Sequence, residues 1–516
     1  RPRAGPGGDA DPLLIAAGRF SAVGPIASRR VDGPVAGRLP DSLPSPTSGP
    51  VIEPVAGAPT LGAAARYWLK LGLVSFGGPA GQIGLLHEEL VVRRRWLSER
   101  RFLHALNYCM LLPGPEATQL ATYLGWLMHG LRGALVAGGL FLLPSVLLLL
   151  LLSGIYALWG QLPLLASLFW AVKPAVLAIT LQAAWRLGRR TLHTPFLALI
   201  ALAGFLGLTL LGLPYPWLVA TAGLLGGLAG RWRPGLIQRR PASAEPGSAE
   251  PGSAELGSVD PASAEPAPTC SGPTGPVIHD DNTPTPSHAR FNRRRLALTL
   301  LASGLAIGLP LLLIADLNGW QGPLATMARF FTRVALVSFG GAYAVLPYVA
   351  QGAVENFGWL SAEQMIDGLA LGESTPGPLI MVLAFVGFMG GWNGSGSLVF
   401  AVVAGLVVVW FTFLPSFVFI LAGAPLVEAS RGDLRLQAPL TTITAVVVGV
   451  MLSLVVFFAA PVLFPGGDIA PQLDRGALLI AVLACIALRA RWGVLPLLGC
   501  AGLVGVMHLL LFGVVP

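Results

Sequence analysis

A six-residue phrase, Leu-Val-Ser-Phe-Gly-Gly, stands at Leu73–Gly78 and again at Leu336–Gly341. Trp96-Leu97-Ser98 returns as Trp359-Leu360-Ser361, and Pro113-Gly114-Pro115 returns as Pro376-Gly377-Pro378. Ser75 falls on Ser338, Trp96 on Trp359 and Pro113 on Pro376 with one ungapped offset of 263 residues. Three motifs in a single register mark the duplication of a whole structural unit. Any fold for this chain must therefore be built from two related halves.

The medium of that fold follows from composition. The chain is 54% hydrophobic and only 11% charged, with a mean hydropathy of +0.71, whereas a soluble domain carries about 25% charged residues. Many apolar stretches reach the roughly 20 residues needed to cross a bilayer. They are continuous and rich in Leu, Val, Ala and Gly, without the short alternation of a β-barrel. The sequence thus predicts an all-α polytopic membrane protein of two homologous repeats, the architecture of a secondary transporter. The formal charge of +8 reflects basic cytoplasmic loops and not nucleic-acid binding. No P-loop occurs, His87-Glu88-Glu89-Leu90-Val91 lacks the second His of a zinc-protease helix, and the seven histidines do not cluster. Neither an enzyme nor a cofactor or metal site is expected. Cys109, Cys270, Cys485 and Cys500 show no redox or metal spacing, and three of them read as packing residues in apolar segments.

Residues 1–60 are Pro/Gly/Ala-rich, lack the apolar core of a signal peptide and read as a disordered leader. A first membrane repeat occupies residues 61–230. Residues 231–295 form a linker with Pro-Gly-Ser-Ala-Glu repeats, flanked by Arg231, Arg233, Arg239 and Arg240 and by Arg290, Arg293, Arg294 and Arg295. That composition builds no core, and its basic flanks put both ends in the cytoplasm. Residues 296–516 hold an extra span, about Leu296–Ala315, and the second repeat.

Corresponding loops differ in charge. Arg93, Arg94, Arg95, Arg100 and Arg101 lie between the first Phe-Gly-Gly and the first Pro-Gly-Pro; the second copy has no Lys or Arg there and carries Glu355, Glu363 and Asp367. Positive residues stay inside, so the halves are expected in inverted topology, with the extra span supplying the inversion. Keeping the basic clusters on one side makes Phe102–Gly130 enter and leave from the same face. A Pro-Gly-Pro at its centre permits such a broken, re-entrant hairpin. The alternative is that every segment crosses, with about six plus seven spans.

Ser75, Phe76, Gly77 and Gly78 with Ser338, Phe339, Gly340 and Gly341, and Pro113, Gly114 and Pro115 with Pro376, Gly377 and Pro378, are the candidate substrate-binding residues. Pro and Gly open the helix ladder, and the amides they free can hold an anion at helix N-termini. The same residues also serve close helix packing. Ser374 and Thr375 offer hydroxyls to oxyanion oxygens. Glu116 directly follows the first Pro-Gly-Pro, and Glu373 stands three residues before the second. Such intramembrane carboxyls are candidates for carrying a proton with the substrate, or for capping a broken helix. Lys173 precedes Pro174 in an apolar span and either neutralises part of a dianion or pairs with a carboxylate. After the Pro-Gly-Pro motifs Leu143-Pro144-Ser145 matches Leu414-Pro415-Ser416, so Ser145 falls on Ser416 at an offset of 271 and Lys173 on Thr444. Arg329 and Arg333 fall on Arg66 and Lys70, as cations at each mouth or as interfacial anchors. Gly223, Gly226, Gly227 and Gly230 form a small-residue face that suits a homodimer.

Phe76-Gly77-Gly78-Pro79, the Glu88…Trp96-Leu97-Ser98 stretch, Pro113-Gly114-Pro115 with Gln119, and Glu373-Ser374-Thr375-Pro376-Gly377-Pro378 together resemble the chromate ion transporter family, long two-domain type. The resemblance implies chromate export from a bacterial cytoplasm through the plasma membrane, driven by membrane potential or proton gradient. It also implies sensitivity to sulfate and importance of the Gly-rich and Pro-Gly-Pro segments, Gln119 included, for transport. The long leader, the long linker and Ala342 in place of Pro79 depart from the family pattern. Chromate and sulfate are both tetrahedral dianions, so sulfate uptake or chromate/sulfate exchange is the alternative reading. The expected partners are the anion and membrane lipid.

Overall fold

The computed structural model describes residues 59–76, 78–236, 288, 291–339, 341–429, 437–465 and 472–513. The leader and most of the linker lie outside them. Among the described residues the secondary structure is helical throughout. The first half runs α1 (Leu61–Val74), α2 (Gly78–His87), α3 (Glu99–Leu111), α4 (Glu116–Trp159), α5 (Pro163–Thr191), α6 (Pro195–Thr209) and α7 (Tyr215–Trp232). The extra span is α8 (Arg293–Asn318). The second half runs α9 (Pro323–Val337), α10 (Ala342–Ala350), α11 (Ala362–Ser374), α12 (Val382–Ser395), α13 (Leu398–Ala429), α14 (Gln437–Leu463), α15 (Arg475–Arg489) and α16 (Val494–Phe512).

Six helices are long and apolar enough to cross a membrane: α4, α5, α8, α13, α14 and α16. The helices flanking the repeated motifs are shorter. At 1.5 Å per residue α1, α3 and α11 reach only about 20 Å, against the roughly 30 Å of a hydrocarbon core. The chain turns back at His129 and Gly130, where φ is −132° and +62° inside α4. The two arms of α4 then pack so closely that a Cβ on Gly125 would strike Gly133 and Ala137. α12 and α13 repeat this contact: a Cβ on Gly391 would lie 2.9 Å from Ala401 Cα.

The Trp-Leu-Ser repeats have a structural explanation. A π-helical turn, Glu88–Arg93 in one half and Gln351–Asn356 in the other, follows α2 and α10. Each turn is closed by the tryptophan amide, Trp96 N donating to Leu90 O and Trp359 N to Ala353 O, both at 2.8 Å. Both tryptophans and both leucines are buried. Ser98 and Ser361 then cap α3 and α11, accepting from the amides of Arg101 at 3.3 Å and Gln364 at 3.1 Å. Ser361 completes a capping box with Gln364. The second-half residues read from sequence as one loop are therefore divided: Glu355 lies in the π-turn, Glu363 opens α11, and Asp367 is a buried residue of α11.

Long-range packing is exchanged between the halves. α5 of the first half packs on α15 and α16 of the second, and α14, its counterpart, packs on α6 and α7. The glycine face expected to make a homodimer is used in this exchange. A Cβ on Gly226 would strike Thr442 and lie 2.8 Å from Ala438 O, and one on Gly230 would lie 2.6 Å from Ala438 Cβ, so that face seats α14 of the same chain.

Candidate functional site

The four broken segments meet in crossed pairs. Gly114 N donates to Ser338 O at 2.9 Å, and Gly377 N donates to Ser75 O at 2.6 Å. Each Ser-Phe-Gly-Gly is thus stitched to the Pro-Gly-Pro of the other half, at positions related by the 263-residue offset. The Leu-Pro-Ser repeats join the same crossing. Ser145 Oγ donates to Pro376 O at 2.6 Å, and Ser416 Oγ occupies the place a Cβ on Gly114 would take. Gly114 and Gly377 have φ of +129° and +106°, and Gly78 and Gly341 have φ of +72° and +88°. These four sites need glycine for their backbone, and the first two also need it for contact.

This crossing corrects one expectation. The amides of the two central glycines are satisfied by carbonyls and are not free for an anion. Several hydroxyls are likewise engaged: Ser338, Ser374 and Thr375 donate to carbonyls three residues earlier at 3.0, 2.9 and 3.2 Å. Ser75 Oγ is buried without a partner. Gln119 serves the break itself, its Nε2 donating to Pro113 O at 2.7 Å. Pro113, Pro115, Pro376 and Pro378 are buried around these turns. Gly77 and Gly340 lie outside the described residues.

Several helix starts lack a side-chain cap. α4, α10 and α16 begin without a side-chain cap, unlike α3 and α11. The first amides of such helices have no intrahelical partner. A cavity of about 230 Å³ opens at one crossing, between Phe76 and Gly78 of the first half, Gly372, Glu373, Thr375, Gly377 and Leu379 of the second, and Gly493–Pro496 at the start of α16. It places the positive ends of α2 and α16 opposite the second Pro-Gly-Pro. Glu373 is its acidic residue. The Tyr343 hydroxyl of α10 donates to Glu373 Oε1, and Arg186 of α5 is near enough to act on Glu373 electrostatically.

Other predicted residues lie elsewhere. Phe339 precedes α10 and Gly341 is its N-cap in the other crossing, and Glu116 is the half-buried first residue of α4. Lys173 does not line the cavity; its Nζ is 3.5 Å from Asp367 Oδ1. Arg186, Tyr343 and the α16 start are not read as site residues from sequence, and Asp367 is read only as a loop charge. They fall outside the repeated motifs, and only the fold brings them near. Among the described residues no group of His, Cys, Asp and Glu is arranged to hold a metal.

Residues 63–227 and 325–506 match the protein-family model described as Chromate transporter. The chain is similar to the chromate transport protein of Pseudomonas aeruginosa, at 30% identity over 74% of this chain and 77% of that protein. It is similar to a probable chromate transport protein of Synechococcus elongatus, at 27% over 76% and 82%. The chromate transport protein of Cupriavidus metallidurans is 26% identical over 81% and 87%. No solved structure matches the chain.

Proposed function

This chain belongs to the chromate transporter family, and from that premise we propose that it carries chromate across the bacterial plasma membrane as a secondary exporter, so conferring chromate resistance. The observation that carries the reading is the cavity between Phe76 and Gly78 of one half and Glu373, Thr375, Gly377 and Leu379 of the other, shared by both halves and faced by helix N-termini. At roughly 30 Å³ per water, it has room for a largely dehydrated tetrahedral oxyanion. The uncapped start of α16 supplies amide donors without a fixed positive charge, which suits an anion that must leave again.

Glu373 sets the coupling. Like charges confined in one cavity repel, so a dianion and an ionised Glu373 exclude each other. The anion enters with a proton on the carboxyl, and the pair crosses with a net charge of about −1. An inside-negative potential expels that charge with about 2.3 kcal/mol per 100 mV. Membrane potential is therefore the driving force this site favours for efflux. The inverted arrangement of the halves rests on their opposite loop charges, on the added span α8 and on the exchanged packing. Alternating access then consists of the two halves exposing the crossing to either face in turn.

The test is flux of radiolabelled chromate from proteoliposomes under an imposed potential, with sulfate as competitor. Potential-driven chromate movement supports the reading. Absence of chromate flux under either polarity, or sulfate flux without chromate flux, overturns it.

A further inference from the structure

The two broken arms, α3 and α11, are equivalent in sequence but differ in environment. α11 packs on α5, α12, α14 and α16, whereas among the described residues α3 rests chiefly on α4. Ala370 of α11 is 3% exposed; its counterpart Asn107 is exposed, and so is Met110, the counterpart of Glu373, at 52%. α11 packs on α4 and α5 of the opposite half, whereas α3 meets the opposite half through Tyr108, whose hydroxyl donates to Phe419 O of α13 at 3.0 Å.

The α11 arm is fastened by an ion pair between a half-buried lysine and a buried aspartate. Lys173 on α5 approaches Asp367 Oδ1 at 3.5 Å, and the Tyr156 hydroxyl on α4 donates to Oδ2 at 2.8 Å. Asp367 is 4% exposed. Tyr156 is itself held by Phe169 and Phe385, with ring centroids 5.3 and 5.4 Å apart, and a Cβ on Gly368 would strike Phe385. Glu363, one turn earlier on the same face of α11, is the other ionisable group acting on Asp367. The fastening spans both halves. At the related positions stand His104 for Asp367 and Thr444 for Lys173. Thr444 Oγ1 is engaged with Leu440 O at 2.9 Å, and His104 Nε2 is buried without a partner. No ion pair can form there.

We propose that Lys173, Asp367 and Tyr156 are positioning residues that form a one-sided lock, holding α11 docked so that its C-terminal end completes the cavity wall. Gly372 and Glu373 lie five and six residues beyond Asp367, about 8–9 Å along the helix. α3, with Asn107 and Met110 exposed, shows the looser packing that α11 reaches when the lock opens. This inference rests on the transport reading above. Lys173 acts through Asp367 and not on the anion.

The experiment uses the full chain in proteoliposomes with Cys109, Cys270, Cys485 and Cys500 replaced by alanine, and a single cysteine at Asn107→Cys or Ala370→Cys. Chromate flux in this background is measured first, so a failure of the transport reading is seen separately. With the lock intact, a membrane-impermeant maleimide labels position 107 quickly and position 370 slowly. Asp367→Asn or Lys173→Met raises the labelling rate at 370 at least about tenfold, because a buried charge left without its partner disfavours the docked state. The swap Lys173→Asp with Asp367→Lys restores protection and serves where a single variant folds poorly. Unchanged labelling at 370 in the folded single variants, or a folded swap that labels as fast as they do, overturns the proposal.

Discussion

Replacing Glu373 by Gln isolates the coupling step. Glutamine keeps the shape and a carbonyl oxygen to accept from Tyr343, so the α10–α11 contact survives. What is lost is the proton. Under the proposed coupling the dianion and one proton cross together, and each 100 mV contributes about 2.3 kcal/mol. In Glu373→Gln the dianion crosses alone with net charge −2, and the same potential contributes about 4.6 kcal/mol. At 1.4 kcal/mol per decade, the steady-state chromate ratio at 100 mV rises from about 50-fold to about 2,000-fold. The assay is radiolabelled chromate distribution across vesicles clamped by a potassium diffusion potential, at alkaline pH where the free anion is the dianion. The native ratio also shifts by about tenfold per unit of imposed pH difference, and the variant's does not. An unchanged voltage slope and pH response in the variant refutes the reasoning. So does complete loss of chromate binding, since glutamine preserves the cavity.

Gly377→Ala forces a Cβ into Ser145 Oγ and holds alanine at φ +106°, so we expect a loss of about 2 kcal/mol or more in stability, read by thermal melting in detergent. Ser361→Ala removes the capping box of α11 and costs about 1 kcal/mol in the same assay, while chromate affinity in a binding assay stays native. Gly226→Leu prevents α7 from seating on α14, so the expected outcome is misfolding and aggregation on size exclusion; a folded protein with only a changed oligomeric state contradicts the intramolecular role. Arg100→Cys and Glu363→Cys occupy equivalent exposed positions, and inverted halves predict labelling from opposite faces of the membrane, whereas labelling from one face removes the inversion.

Much of the crossing was legible because a duplicated chain repeats its backbone. Gly78 and Gly341, and Gly114 and Gly377, adopt the same left-handed conformations at the same offset, and the Trp-Leu-Ser copies build the same turn and cap. What the repeats do not reveal is which surface each copy meets. The glycines from Gly223 to Gly230 announce close packing but equally fit a second chain or α14. Asp367 reads as a loop residue because its helix is short and carries Glu363 in its first turn; its partner Lys173 stands 194 residues earlier, across the exchange of α5 between halves. The freed amides of Gly114 and Gly377 look available from sequence because their acceptors, Ser338 O and Ser75 O, belong to the other half.

The most direct measurement is the chromium anomalous signal from chromate-soaked crystals of this protein. A peak within hydrogen-bond reach of the α2 and α16 starts, beside Gly78, Glu373 and Thr375, is the expected result. A peak against Lys173 and Asp367, or one outside the crossing altogether, contradicts a site built from the broken segments of both halves.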